Sequence, residues 1–217
     1  MRTYEVTGEN KPEFTHQQER INWSVHLAGV LFGLVAFPVL IDAALGREPG
    51  FISAIIIYST CFLMVFSFST LYHSTVEHHL KSIYKKLDRI SIYFLIAGTY
   101  TPIIRAYLFD STGISMLWFL WFLVVIGILF EVLFPDRFAV VSVLFYLFMG
   151  LVFLFVPTDF FAAMPQHVMR LIVTGVIFYL VGVIFYVWQK WTYHHAIWHL
   201  FVLTGSICHY MAIFYTV

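Results

Sequence analysis

Seven long apolar stretches, separated by short polar breaks, organise the chain. They run from Asn22 to Ala44, Ile52 to Thr75, Asp88 to Leu108, Ile114 to Phe134, Phe138 to Pro157, Val168 to Trp188 and His194 to Tyr215. Each is about 20 residues long, the length a helix needs to cross a hydrocarbon core of about 30 Å. The breaks carry turn formers, as in Gly46-Arg47-Glu48-Pro49-Gly50, Asp110-Ser111-Thr112-Gly113 and Pro135-Asp136-Arg137. Lipid offers no partner to a backbone N–H or C=O, so the stretches are expected to be helices. The short alternating segments of a barrel are missing. The pattern predicts an all-α integral membrane protein: a polar segment over residues 1–21, then a seven-transmembrane helix bundle over residues 22–217. No break is long enough for a second domain. The first twenty residues contain no apolar core of a cleavable signal peptide, so insertion falls to the first apolar stretch.

The charges orient this bundle. With the N-terminus in the cytoplasm, the inner regions hold Arg2, Lys11, Arg20, Lys81, Lys85, Lys86, Arg89, Arg137 and Lys190, and the outer ones hold Arg47, Arg105 and Arg170. That bias predicts a cytoplasmic N-terminus and an outside C-terminus. Trp23, Trp188 and Trp191 then fall at the inner boundary and Trp118 near the outer one.

Composition narrows the class further. Of 217 residues 61% are hydrophobic and 11% charged, against about 25% charged in soluble domains. A soluble enzyme and a disordered chain are excluded. Twelve basic residues against twelve acidic ones leave no field for nucleic acid. The chain reads as a multi-pass protein of the cell membrane. Cys61 and Cys208 sit in apolar runs and are expected to be small buried hydrophobes.

Ten histidines are many for so greasy a chain, and ionisable residues inside a membrane usually have a task. Ser69 and His73 lie one helical turn apart near the end of the second stretch. Asp88 opens the third, and His195 and His199, again one turn apart, open the seventh. The alternating topology puts all five near the cytoplasmic interface. Two histidines at i and i+4 can bind one metal ion, and a third from a neighbouring helix completes a three-nitrogen site. Zinc with three protein ligands keeps a fourth position for water and lowers its pKa to about 7. Asp88 could hold or deprotonate that water, and Ser69 could orient a ligand or donate to a developing oxyanion. His209 lies about 15 Å further along the same helix, too far to share the ion. His16, His78 and His79 read as solvated, and His167 as interfacial on the other side. Glu19, Asn22 and His26 form a polar stripe on the first helix, readable either as a cap with an interfacial face or as support for the site. Asp42 and Glu131 sit at helix ends, from which they can reach headgroups, and are assigned no role. Pro102 is expected to kink the third helix.

Several segments carry a family resemblance: Asn22-Trp23-Ser24-Val25-His26, Ser69-Thr70-Leu71-Tyr72-His73, Lys86-Leu87-Asp88, Ala97-Gly98-Thr99-Tyr100-Thr101-Pro102, His195-Ala196-Ile197-Trp198-His199 and Cys208-His209-Tyr210. From Glu19 onward the chain resembles the haemolysin III group of the progestin and adipoQ receptor family. It departs from many bacterial members at Arg89, where they carry a histidine. The resemblance implies a seven-helix bundle in a bacterial inner membrane and a zinc ion on His73, His195 and His199. It also implies Asp88 as the contact to the metal's water, with Ser69 behind it. It further implies a hydrolase of lipid amide bonds; with a zinc-activated water the reading is a hydrolase of a lipid amide or ester, the membrane lipids being the partners. A sensor or regulator with structural zinc, and a haemolysin-like lytic protein, are the other readings. A permanent pore would need a polar stripe through the full depth, and the outer halves of these helices are apolar.

Overall fold

The computed structural model describes residues 14–134, 139–155 and 158–217. Among these, every regular element is helical: α1 (His16–Ala44), α2 (Pro49–Ser74), α3 (His78–Tyr107), α4 (Ser111–Leu133), α5 (Ala139–Gly150), a 3-10 turn (Val152–Phe155), α6 (Thr158–Ala163), α7 (Gln166–Val187) and α8 (His194–Phe214). The helix starts follow from capping chemistry. Thr15 and Gln18 form a reciprocal box at the head of α1. Pro49 stands in the first turn of α2, where its missing N–H costs nothing. The Glu77 carboxylate accepts the amides of His79 and Leu80 at 2.8 and 2.7 Å and starts α3. α1 thus begins ahead of Asn22, inside the stretch expected to be a separate polar segment, and α3 begins ahead of Asp88. Residues 1–13 of that segment, and the Pro135-Asp136-Arg137 break with the Phe138 and Pro157 bounds of the fifth stretch, lie outside the described residues.

α1, α2, α4, α7 and α8 are long and apolar enough to cross a membrane. α3 has 30 residues but opens on the charged run His78–Arg89. The fifth stretch is not one continuous helix, because α5 stops at Gly150 and the chain tightens into the 3-10 turn. Tyr100 of α3 explains how the break is tolerated in a low-dielectric interior. Its hydroxyl donates to the Gly150 carbonyl at 2.9 Å and accepts the Phe153 amide at 3.2 Å, so freed backbone groups keep partners. Pro102 is accommodated inside α3, which runs on to Tyr107.

α2 lies between α1 and α3, α4 packs on α3, and α7 packs on α8. Aromatic rings fill the α1–α2–α8 seam: Phe37, Tyr58, Phe62 and Phe66 are buried, and Tyr210 donates to the Ala36 carbonyl at 2.9 Å. A second cluster of Tyr93, Ala97, Leu120 and Val124 joins α3 to α4. Outside, Val35 and Trp118 are each 74% exposed, and so continuous an apolar exterior is the surface of a helical membrane bundle. Cys61 is buried, Cys208 half-buried, and both are free thiols.

Contacts tie each end of the bundle together. At one end, Gln18 donates to the Thr192 carbonyl just ahead of α8, Glu19 pairs with Lys81, and Lys81 donates to the Tyr72 carbonyl, so the heads of α1, α3 and α8 meet the tail of α2. At the other, Arg105 pairs with Glu48, and Tyr107 donates to Thr216.

Candidate metal centre

The first end carries the candidate chemistry. α2 presents Ser69 and His73 from its last two turns, and α8 presents His195 and His199 from its first two. α3 brings Asp88, and α1 brings Glu19, Asn22 and His26. His73 and His199 are buried, and His195 is half-buried. One nitrogen from each of the three lies within 4.8 Å of the others. The tightest approach is Nε2 to Nε2 between His73 and His199, at 3.0 Å. The ring of His26 stands perpendicular to that of His199 with centroids 4.1 Å apart.

The polar bookkeeping around this point is incomplete. His195 Nε2, His199 Nδ1, both ring nitrogens of His26 and Ser69 Oγ are buried without a hydrogen-bond partner. Unpaired buried polar atoms cost about 1–3 kcal/mol each. Three convergent imidazoles with unspent lone pairs fit a borderline-soft divalent cation such as zinc, and they can hold one. Asp88 faces His73 and Ser69, although Ser69 Oγ stops short of a hydrogen bond, and Asp88 is not one of the three convergent groups. The bundle therefore brings all five expected residues to one place, with the histidines in contact and the carboxylate beside them.

Two contacts go beyond what the sequence specifies. Glu19, on the stripe readable either as a cap or as support for the site, reaches His73: its Oε2 lies 2.6 Å from Nδ1. Phe14 is buried against the site, its ring 4.7 Å from that of His195. The i, i+3, i+7 spacing of Glu19, Asn22 and His26 was the available signal, and the identity of the facing helix was not.

Glu131 requires a correction. It does not reach headgroups but is 1% exposed. Ser142 donates to one of its oxygens, and Arg89 Nε lies 3.1 Å from the other. Both carboxylate oxygens thus have partners, which a buried charge requires if its desolvation is to be offset. This pair fastens α3, α4 and α5 beside Asp88.

A cavity of about 320 Å³ opens on the site. Phe14, Asp88, His195 and His199 line its near end, and Ile103 and Met169, from the far ends of α3 and α7, line its depth. Its walls are mostly apolar.

The family model described as haemolysin-III related matches residues 14–210. A hemolysin-3 homolog of Bacillus subtilis (strain 168) is 36% identical, covering 93% of this chain and 95% of the relative. Hemolysin-3 of Bacillus cereus is 34% identical over 93% of this chain and 92% of its own. The human monocyte to macrophage differentiation factor is 32% identical over 72% of this chain and 67% of its own. No solved structure gives a significant match.

Proposed function

The chain belongs to the haemolysin-III related family of multi-pass membrane proteins, and from that premise we propose that it is a zinc-dependent hydrolase of a lipid amide or ester bond. The observation that carries the reading is the convergence of His73, His195 and His199 at the mouth of an apolar cavity that runs the depth of the bundle. The histidines would hold the ion, which when bound supplies Lewis acidity and lowers the pKa of water.

The chain's own residues account for the rest. Asp88 lines the cavity together with His195 and His199, and in this reading it would take a proton from water as general base. Ser69, buried one turn before His73, has a free hydroxyl to orient Asp88 or to donate to a developing oxyanion. Phe14, packed on His195 at the cavity lining, would help to keep bulk water from the site. The apolar cavity takes the hydrocarbon tail, with the scissile bond left at the histidines. By the distribution of Lys and Arg this end faces the cytoplasm.

A structural zinc would call for a fourth protein ligand. Among the described residues the convergent group numbers three, which favours the enzyme over the regulator. The test is hydrolysis of synthetic N-acyl and O-acyl lipids by the purified protein in proteoliposomes. Turnover should require zinc and vanish in His199→Ala and Asp88→Asn; turnover unchanged in either variant contradicts the reading.

A further inference from the structure

We infer that Glu19 is a positioning residue of the metal centre, one that fixes the ring of His73 so that its Nε2 lone pair points at the place shared with His195 and His199. The inference rests on the metal reading above.

A carboxylate only accepts, so the 2.6 Å contact of Glu19 Oε2 with His73 Nδ1 requires the proton on Nδ1. A neutral imidazole then carries its lone pair on Nε2, the atom 3.0 Å from His199 Nε2. Asn22 offers a weaker contact to the same Nδ1 at 3.5 Å. An amide N–H there would suit the opposite tautomer, and the shorter, charged contact decides between them.

Glu19 is itself held. Lys81 Nζ lies 2.7 Å from its other oxygen and donates to the carbonyls of Tyr72 and Thr75 at 3.2 Å each. The relay Lys81–Glu19–His73 therefore links α3, α1 and α2 behind one candidate ligand. A Glu19–Lys81 ion pair alone would be an ordinary interhelical tie. The second oxygen on the ring nitrogen gives the pair its further role, because a carboxylate behind a ligating histidine sets its orientation and raises its basicity.

The test uses the full chain in detergent and Co²⁺ as the probe, since its visible bands report ligand geometry. Glu19→Gln should weaken Co²⁺ binding by about 10–100-fold and shift the bands. Glu19→Asp should restore part of both, and Lys81→Met should cause a smaller loss in the same direction. Helical circular dichroism and monodisperse elution confirm folding. Wild-type affinity and spectrum in Glu19→Gln overturn the inference while the metal reading stands. Should Glu19→Gln not fold, wild-type spectra in both Glu19→Asp and Lys81→Met overturn it equally. A wild type that binds no Co²⁺ overturns the metal reading and this inference with it.

Discussion

His73 and His199 meet Nε2 to Nε2 at 3.0 Å across the α2–α8 contact, although 126 residues separate them in the chain. Two such nitrogens can share one proton or one cation. Cation binding to the folded state alone raises stability by about 2.7 kcal/mol at a hundredfold excess over Kd. Zinc should therefore raise the thermal midpoint of the wild type in detergent, and should leave that of His73→Ala/His199→Ala unmoved. Equal shifts in both proteins would place the stabilising ion elsewhere.

The Arg89–Glu131 pair makes a stability prediction. Removing Arg89 leaves the buried Glu131 carboxylate without its guanidinium, at a cost of about 3–5 kcal/mol. Arg89→Met should lower the midpoint of thermal unfolding strongly. Arg89→Met/Glu131→Leu, which removes both charges and keeps volume, should lower it much less. The opposite order would mean that the pair is solvated.

Close helix approach makes another. A Cβ at Gly29 would run into the ring of Phe66, whereas one at Gly46 would meet nothing within 4 Å. Overpacking costs about 1–3 kcal/mol. Gly29→Ala should destabilise by that order and Gly46→Ala should be close to neutral, both read by chemical unfolding. Two neutral variants would show that α1 and α2 can slide apart freely.

The head of α3 should respond to acid. The amides of Leu80 and His79 hold the Glu77 carboxylate below its usual value of 4.5. A depressed carboxylate stabilises the fold above the unfolded value, and that contribution is lost as pH falls through the folded one. Hydrogen exchange at Leu80 and His79, corrected for its intrinsic pH dependence, should lose protection below about pH 4.5. Glu77→Gln should show the weaker protection at neutral pH already. Protection in Glu77→Gln equal to wild type would contradict the cap.

The histidines could be read from the chain because their logic is local. His195 and His199 share a face by helical spacing alone, and alternation of the membrane crossings brings His73 to the same side. Glu19 could not be paired in this way, since its partner is chosen by how α1 leans on α2 and α3. Glu131 stands near a polar break, which reads as a surface position until Arg89 and Ser142 are seen to enclose it. The interrupted fifth stretch was hidden for a similar reason: around the break its sequence is apolar, and the group that stabilises the break, Tyr100, comes from another helix.

The metal content of the purified protein tests the central claim most directly. Wild type and His73→Ala, produced side by side and passed over the same resin without chelator, are measured by elemental mass spectrometry. The account predicts about one zinc per wild-type chain and a large loss in His73→Ala, as three ligands on one ion require. A wild type free of zinc, or a variant that keeps as much as the wild type, would contradict it.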